Sequence, residues 1–276
     1  MAYVGTLAWA RETGGEISHA DRLELFRLAV VTSVVDGPSY MMSMLRVKRP
    51  SPAAANRVTL RLPESPAVEE AERLLHQLVP RFIVNHSIRT FLFSRLVGIT
   101  EGIVCDPEIL YLASLAHDVG LYPDPQVPVV GECFSLRSAE WAVKIARNAG
   151  WCQERRRRLA ETIVLNLNGR VPEALGAEAH LMMKGVLVDA TGLYSWRVNP
   201  MNRDAVLAAY PLLDQCPHLR TRFNAEAALH PHCRGYFASH CLGFGLLMRL
   251  APRVSGRRKT AECGPSGIAG SAGAAQ

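Results

Sequence analysis

An all-α fold is what this 276-residue sequence predicts, and three observations predict it. From Pro66 onward, apolar residues recur at spacings of three and four, the period of one helix face. Several of these runs begin at a capping residue and stop at a glycine or just before a proline. Only one stretch, VTLRLPESP at residues 58–66, has strand character, and no internal repeat is present.

Residues 1–61 read as a short N-terminal helix and an arm. Ser18 and Asp21 can cap the segment DRLELFRLAVVTSVV, which sets Leu23, Phe26 and Val30 on one face. From residue 36 to 66 the chain is rich in Pro, Ser and Ala and is expected to be an arm leading into the main domain. That domain is expected over residues 62–252. Residues 253–276 are Gly, Ser, Ala and basic residues, which bury too little apolar surface to stay ordered, and are expected to be a disordered tail.

Within the domain, AVEEAERLLHQLVPRF places Ala71, Leu74, Leu75 and Leu78 on a helix that ends near Pro80. NHSIRTFLFSRLVG gives a second helix over residues 85–98, stopped by Gly98. The third is the best marked: Asp106 as N-cap, Pro107 at the first helical position and Glu108 against the helix dipole. Its body, residues 109–116, is apolar on nearly every side, as expected of a central buried helix. Further helices are expected at residues 136–149, 152–166, 177–194, 203–210, 219–229 and 236–250.

A net charge of +6 favours anionic ligands and says nothing about fold. The basic residues cluster at 155–158 and 257–259. The run ERRRR at 154–158 has no aromatic interleaving and reads as a solvated face, so nucleic acid is not an expected partner. Seven cysteines without a CxxC pair read as reduced thiols. The opening MAYVGTLAWARETGGE lacks a basic n-region followed by a long apolar h-region, so no signal peptide is expected, and no stretch approaches roughly 18 uncharged apolar residues. The expectation is a cytoplasmic protein with a small-molecule substrate and no membrane contact, open to homo-oligomer formation.

The stretch YLASLAHDVGL, residues 111–121, raises the chemical question: His117 and Asp118 end a run that is otherwise almost wholly apolar. A buried carboxylate costs several kcal/mol unless it is paired or bound to a metal. A neighbouring imidazole points to the metal. His86, one position into the second helix, and Asp189, an acid within KGVLVDATGLY, complete a set of two imidazoles and two carboxylates. Two carboxylates balance one divalent ion, and four protein donors leave positions for water and substrate. The mixed nitrogen and oxygen set fits Zn, Mn, Fe, Co or Ni and does not pick one; Zn is the first expectation.

Other histidines read differently. His180 lies nine residues before Asp189, on the opposite side of a regular helix, and is expected to hydrogen-bond there. LHPHCRGYF, residues 229–237, has no acid or cysteine at a ligand spacing and reads as a loop or pocket edge. Cys133 reads as inert packing.

The spacing of one histidine, an adjacent His-Asp pair about thirty residues later and an aspartate some seventy beyond resembles the HD-domain superfamily of metal-dependent phosphohydrolases. LPESP, NHSIRTFLF, DPEILYLASLAHDVGL, GAEAHLMMKGVLVDATGLY and YPLLD together look like its cyanamide-hydratase-like branch. The resemblance implies an HD-type helical bundle with one divalent metal on His86, His117, Asp118 and Asp189. It also implies that Asp118 doubles as a catalytic proton acceptor and that Arg89, one turn after His86, meets an anionic substrate or intermediate. Two departures stand out: Cys133, Phe134 and Ser135 replace an acidic RFE segment, and Asn166 stands where many relatives have histidine.

The expected activity is therefore that of a metal-dependent hydrolase turning an activated water on a phosphoester or nucleotide-like small molecule. The alternatives are a lyase that hydrates a nitrile-like group, and a relative that binds metal and ligand without turnover.

Overall fold

The computed structural model describes residues 3–45, 60–122 and 133–241. Within them the fold is all-α: eleven helices, no strand, and one isolated bridge between Glu16 and Cys233. In order they are α1 (Leu7–Thr13), α2 (His19–Met44), α3 (Pro66–Leu78), α4 (Arg81–Glu101), α5 (Pro107–Ala116), α6 (Phe134–Asn148), α7 (Gln153–Leu165), α8 (Ala177–Thr191), α9 (Pro200–Ala209), α10 (Gln215–Leu229) and α11 (Arg234–His240). No described helix is long and apolar enough to cross a membrane.

The centre of the bundle is α5, against which α3, α4, α6, α7 and α8 all pack. Its cap is the one the sequence specifies, with Asp106 accepting from the backbone N–H groups of Glu108 and Ile109. Every residue from Ile109 to Ala116 is buried. At roughly 1.5–3 kcal/mol for each large apolar side chain removed from water, this helix anchors whatever follows its C-terminus.

α4 and α8 form the other structural axis. Gly185 of α8 sits so close to α4 that a Cβ there would fall onto the Ser94 hydroxyl and the Thr90 carbonyl. The contact therefore requires glycine. It brings α8 against α4 one turn before Asp189.

The N-terminal region departs from expectation. Two helices occupy it, not one. α1 is capped by Thr6, buries Leu7, Trp9 and Ala10, and ends on Gly14 in the left-handed region. α2 begins at Ser18 with the reciprocal Ser18–Asp21 capping box, then continues through Gly37 and Pro38 to Met44, where an arm is expected. Proline within a helix removes one backbone hydrogen bond and crowds the preceding turn, so tertiary contacts must compensate. They do: Asp36 accepts from Arg170 at 3.1 Å and from the Tyr194 hydroxyl at 3.0 Å, and the buried Tyr40 hydroxyl donates to the Thr191 carbonyl. The face carrying Leu23, Phe26 and Val30 is exposed, while Leu25 and Leu28 are buried instead.

Other boundaries shift for identifiable reasons. α4 starts four residues before Asn85 and passes through Gly98, which packs against Leu181, to end at Gly102 with φ of 71°. The strand-like stretch takes no strand over its described residues, and Pro66 opens α3. The remainder of the expected arm at 46–59, the second half of the helix expected at 236–250, and the tail at 253–276 lie outside the described residues.

Candidate metal centre

Three side chains converge where α4 meets the end of α5. His86 lies in α4, His117 is the C-cap of α5, and Asp118 follows it into a 3-10 turn at Val119–Leu121. That turn is locked. A Cβ at Gly120 would strike the Phe134 carbonyl. Its N–H donates to Ser138 Oγ at 2.9 Å, and Ser138 Oγ donates in turn to the His117 carbonyl at 3.0 Å. The start of α6 thus fixes the His-Asp pair from behind.

The donor atoms form a small triangle. His86 Nε2 lies 3.2 Å from His117 Nε2 and 3.5 Å from Asp118 Oδ2, and His117 Nε2 lies 3.4 Å from that oxygen. All three residues are buried. Donors about 2.0–2.2 Å from a four-coordinate ion stand about 3.3–3.6 Å apart, so the observed edges suit one ion held by three ligands.

The opposite ring nitrogens show how the three atoms could take a cation. His117 Nδ1 donates to the Ser114 carbonyl at 2.8 Å. His86 Nδ1 lies 2.6 Å from Asp189 Oδ2, which requires a proton on that nitrogen. With both Nδ1 atoms protonated, each neutral ring presents a lone pair at Nε2, and a carboxylate oxygen faces them. Three acceptors without a donor repel one another unless a positive charge sits between them.

The ionisation tendencies of the two rings differ: His117 favours the neutral ring, and His86 competes for a proton where a metal would sit. Burial depresses His117 below the usual histidine value. Burial also works against a charged His86, but the hydrogen bonds to Asp118 and Asp189 outweigh it and raise the ring's affinity for a proton. Asp118 is held below the usual carboxylate range although burial opposes this, chiefly by its two histidine neighbours. Among the described residues, His86, His117 and Asp118 are the group that could hold a metal ion.

Asp189 and Arg89 sit one layer back. Asp189 Oδ1 accepts from Arg89 Nε at 2.7 Å, and Oδ2 accepts from Arg89 Nη2 at 2.9 Å and from Gln215 Nε2 at 3.0 Å, besides His86. Burial would raise the Asp189 carboxyl, yet Arg89 and His86 hold it well below its ordinary range. The structure thus brings Asp189 to the Nδ1 side of His86, outside the triangle. Arg89, which the resemblance implies to face substrate, is fully buried. Its remaining donors go to the carbonyls of Tyr210 and Pro211 and to the Gln215 amide oxygen. Those carbonyls satisfy a guanidinium already committed to Asp189.

A cavity of about 530 Å³ opens on the triangle, and His86, His117 and Asp118 lie in its wall. Asn166 lines it too, beside the 3-10 turn Asn166–Asn168. So do residues of α2, among them Thr32, Pro38, Tyr40 and Met41. Neither that roof nor Gln215 was foreshadowed: Gln215 directly follows the YPLLD segment but was not singled out, and Pro38, Tyr40 and Met41 sit in the stretch read as an arm.

The remaining candidates fall elsewhere. His180 Nδ1 donates to the Val171 carbonyl at 2.6 Å, and its Nε2 lies 3.5 Å from Glu101. Arg155 pairs with Asp106 and Glu108, Arg157 with Glu154 and Arg158 with Glu178, so the basic run makes ion pairs on the outside of α7. Cys133 is buried beside Cys233 and the fully buried Arg234. A hydrogen bond from Cys233 lowers its thiol to about 6 against the effect of burial, with help from the Arg234 charge.

Residues 83–183 match the family model of the HD domain. The matched segment contains His86, His117 and Asp118 and stops six residues before Asp189. No curated protein matches the chain.

Proposed function

From the match of residues 83–183 to the HD-domain model, we propose that the protein is a metal-dependent hydrolase in the broad sense, turning an activated water on a small molecule bound in the cavity. The observation that carries this reading is the triangle of three buried acceptor atoms, 3.2 to 3.5 Å on an edge, at the wall of a 530 Å³ chamber.

His86, His117 and Asp118 would hold a divalent ion; the donor set suits Zn, Mn, Fe, Co or Ni, with zinc the first expectation. A divalent ion held by these residues would supply a water of lowered pKa and a Lewis acid for the electrophile. Asp118, which lines the cavity, accepts the proton that the water gives up. Asp189 orients His86 through Nδ1 and raises its basicity, the role carboxylates commonly take behind a ligating imidazole. Arg89 is a positioning residue acting through Asp189. A fourth ligand bond from Asp189, which the resemblance implies, would first require its carboxylate to leave Arg89.

For the substrate, the superfamily suggests a phosphoester. A specific observation favours the second reading, addition of water to a neutral, nitrile-like carbon as in the cyanamide-hydratase-like branch: among the described residues, no lysine or arginine lines the cavity. A phosphate commonly relies on such groups in addition to its metal. We place the reaction in the cytoplasm, in keeping with cysteines that lack any paired spacing.

The test is metal analysis of purified protein followed by assays on a generic phosphoester, on cyanamide and on simple nitriles, each with and without chelator. Chelator-sensitive turnover of a nitrile supports hydration of a neutral carbon, and turnover of the phosphoester alone restores phosphoester hydrolysis. Stoichiometric metal with no turnover indicates a binding protein. Absence of a stoichiometric divalent ion removes the proposal.

A further inference from the structure

We infer that the cavity above the metal centre binds an uncharged, largely apolar small molecule, much larger than cyanamide, under a roof supplied by α2. This rests on the proposed metal chemistry only for the reacting end of the ligand.

The walls are the first argument. α8 contributes Val186, Leu187 and Ala190, and α10 contributes Leu219 and Phe223. Among the described lining residues, Asp118 is the only one with a fixed charge, and it belongs to the metal triangle. An anion brought into the cavity loses its hydration and finds no protein cation in return, a penalty of several kcal/mol before any metal contact. An apolar group gains about 25 cal/mol for each Å² it withdraws from water. The chemistry of the walls therefore selects against charge and for carbon.

Size is the second. At about 530 Å³ the chamber falls within the roughly 300–1,000 Å³ of sites that enclose drug-sized ligands. A molecule of a few atoms would leave most of it filled by water against apolar side chains.

The roof is the third. Ala29, Thr32, Pro38, Tyr40 and Met41 all line the cavity and all precede the segment that matches the HD domain. The long α2, carried past Pro38 by the Asp36 and Tyr40 anchors, thus adds a wall from outside the matched segment. It closes an apolar compartment over chemistry that needs only one face.

The experiment uses the full-length, metal-loaded protein and isothermal calorimetry with two probe series, the 1-alkanols from butanol to decanol and the matching n-alkyl phosphates. Alkanol affinity is expected to rise about three- to fourfold per methylene, the equivalent of about 0.8 kcal/mol, until the chamber is full. Met41→Lys, at a residue that is 56% exposed and so tolerant of change, is expected to weaken the longer alkanols several-fold and strengthen the phosphates. The series is repeated on protein stripped of metal by chelator and on His117→Ala. A chain-length dependence that persists without metal upholds the apolar site even if the metal chemistry fails. Metal bound with no chain-length dependence overturns this inference and leaves the metal chemistry standing. Alkyl phosphates that bind the stripped protein more tightly than the alkanols also overturn it.

Discussion

His86 faces two directions, and the centre depends on both. Its Nε2 joins the acceptor triangle while Nδ1 gives its proton to Asp189 at 2.6 Å. If Asp189 orients the ring from behind, Asp189→Asn leaves the three ligands in place and weakens metal binding by about 10- to 100-fold, the usual effect of losing such a partner. Equilibrium dialysis against a metal buffer measures this. Complete loss of metal from the asparagine variant would make Asp189 a ligand, as the resemblance implies. The adjacent histidine and aspartate were legible in the sequence because a charged pair after an apolar helix needs a reason. The tautomers were not, since they depend on acceptors supplied by Ser114, 3 residues before His117, and by Asp189, 103 residues after His86.

At the scale of elements, what positions the site is the close approach of α4 and α8 at Gly185. A methyl group there would meet the Ser94 hydroxyl and the Thr90 backbone, so Gly185→Ala must push the helices apart and with them Asp189 from His86 and Arg89. The expected result is a loss of about 1–3 kcal/mol of stability, typical of overpacking, together with weaker metal binding. Denaturant titration and dialysis read the two effects, and a variant unchanged in both would contradict this role for α8. The elements that the sequence foretold are those whose signals are local: Ser18 and Asp106 as caps, Pro107 at the first helical position, the apolar period of α3. Those it did not foretell depend on distant partners. Gly37 and Pro38 look like a helix end, yet Arg170, Thr191 and Tyr194 hold α2 together across them. Gly98 and Gly102 are equally good stop signals in one dimension, and packing against Leu181 settles that only the second ends α4. The 7-residue α1 is too short to produce a period at all.

Across the whole molecule, charge is sorted away from the cavity. Among the described residues, the arginines of α7 pair with acids on its outer side, and a second, partly buried ionic cluster gathers at Glu101. This carboxylate ends α4 and meets Lys184 of α8 at 2.7 Å, with His180 at 3.5 Å and Arg197 at 3.6 Å. Burial alone would raise it, but the bonds from His180 and Lys184 bring it down to about 2. A carboxylate depressed in this way stabilises the fold above its ordinary value of 4.5 and loses that contribution as pH falls toward 2. Urea midpoints between pH 5 and pH 2 are expected to fall, and to fall less steeply in Glu101→Gln. Equal slopes for the two proteins would show that the cluster does not link these elements.

α4 and the end of α5 bring together three buried side chains that could hold a cation, so the most direct measurement is the metal itself. Elemental analysis after equilibrium dialysis is expected to give one divalent ion per chain, and His117→Ala, with its helical circular dichroism intact, is expected to give none. A native protein without metal, or a variant that retains a full equivalent, would contradict the account.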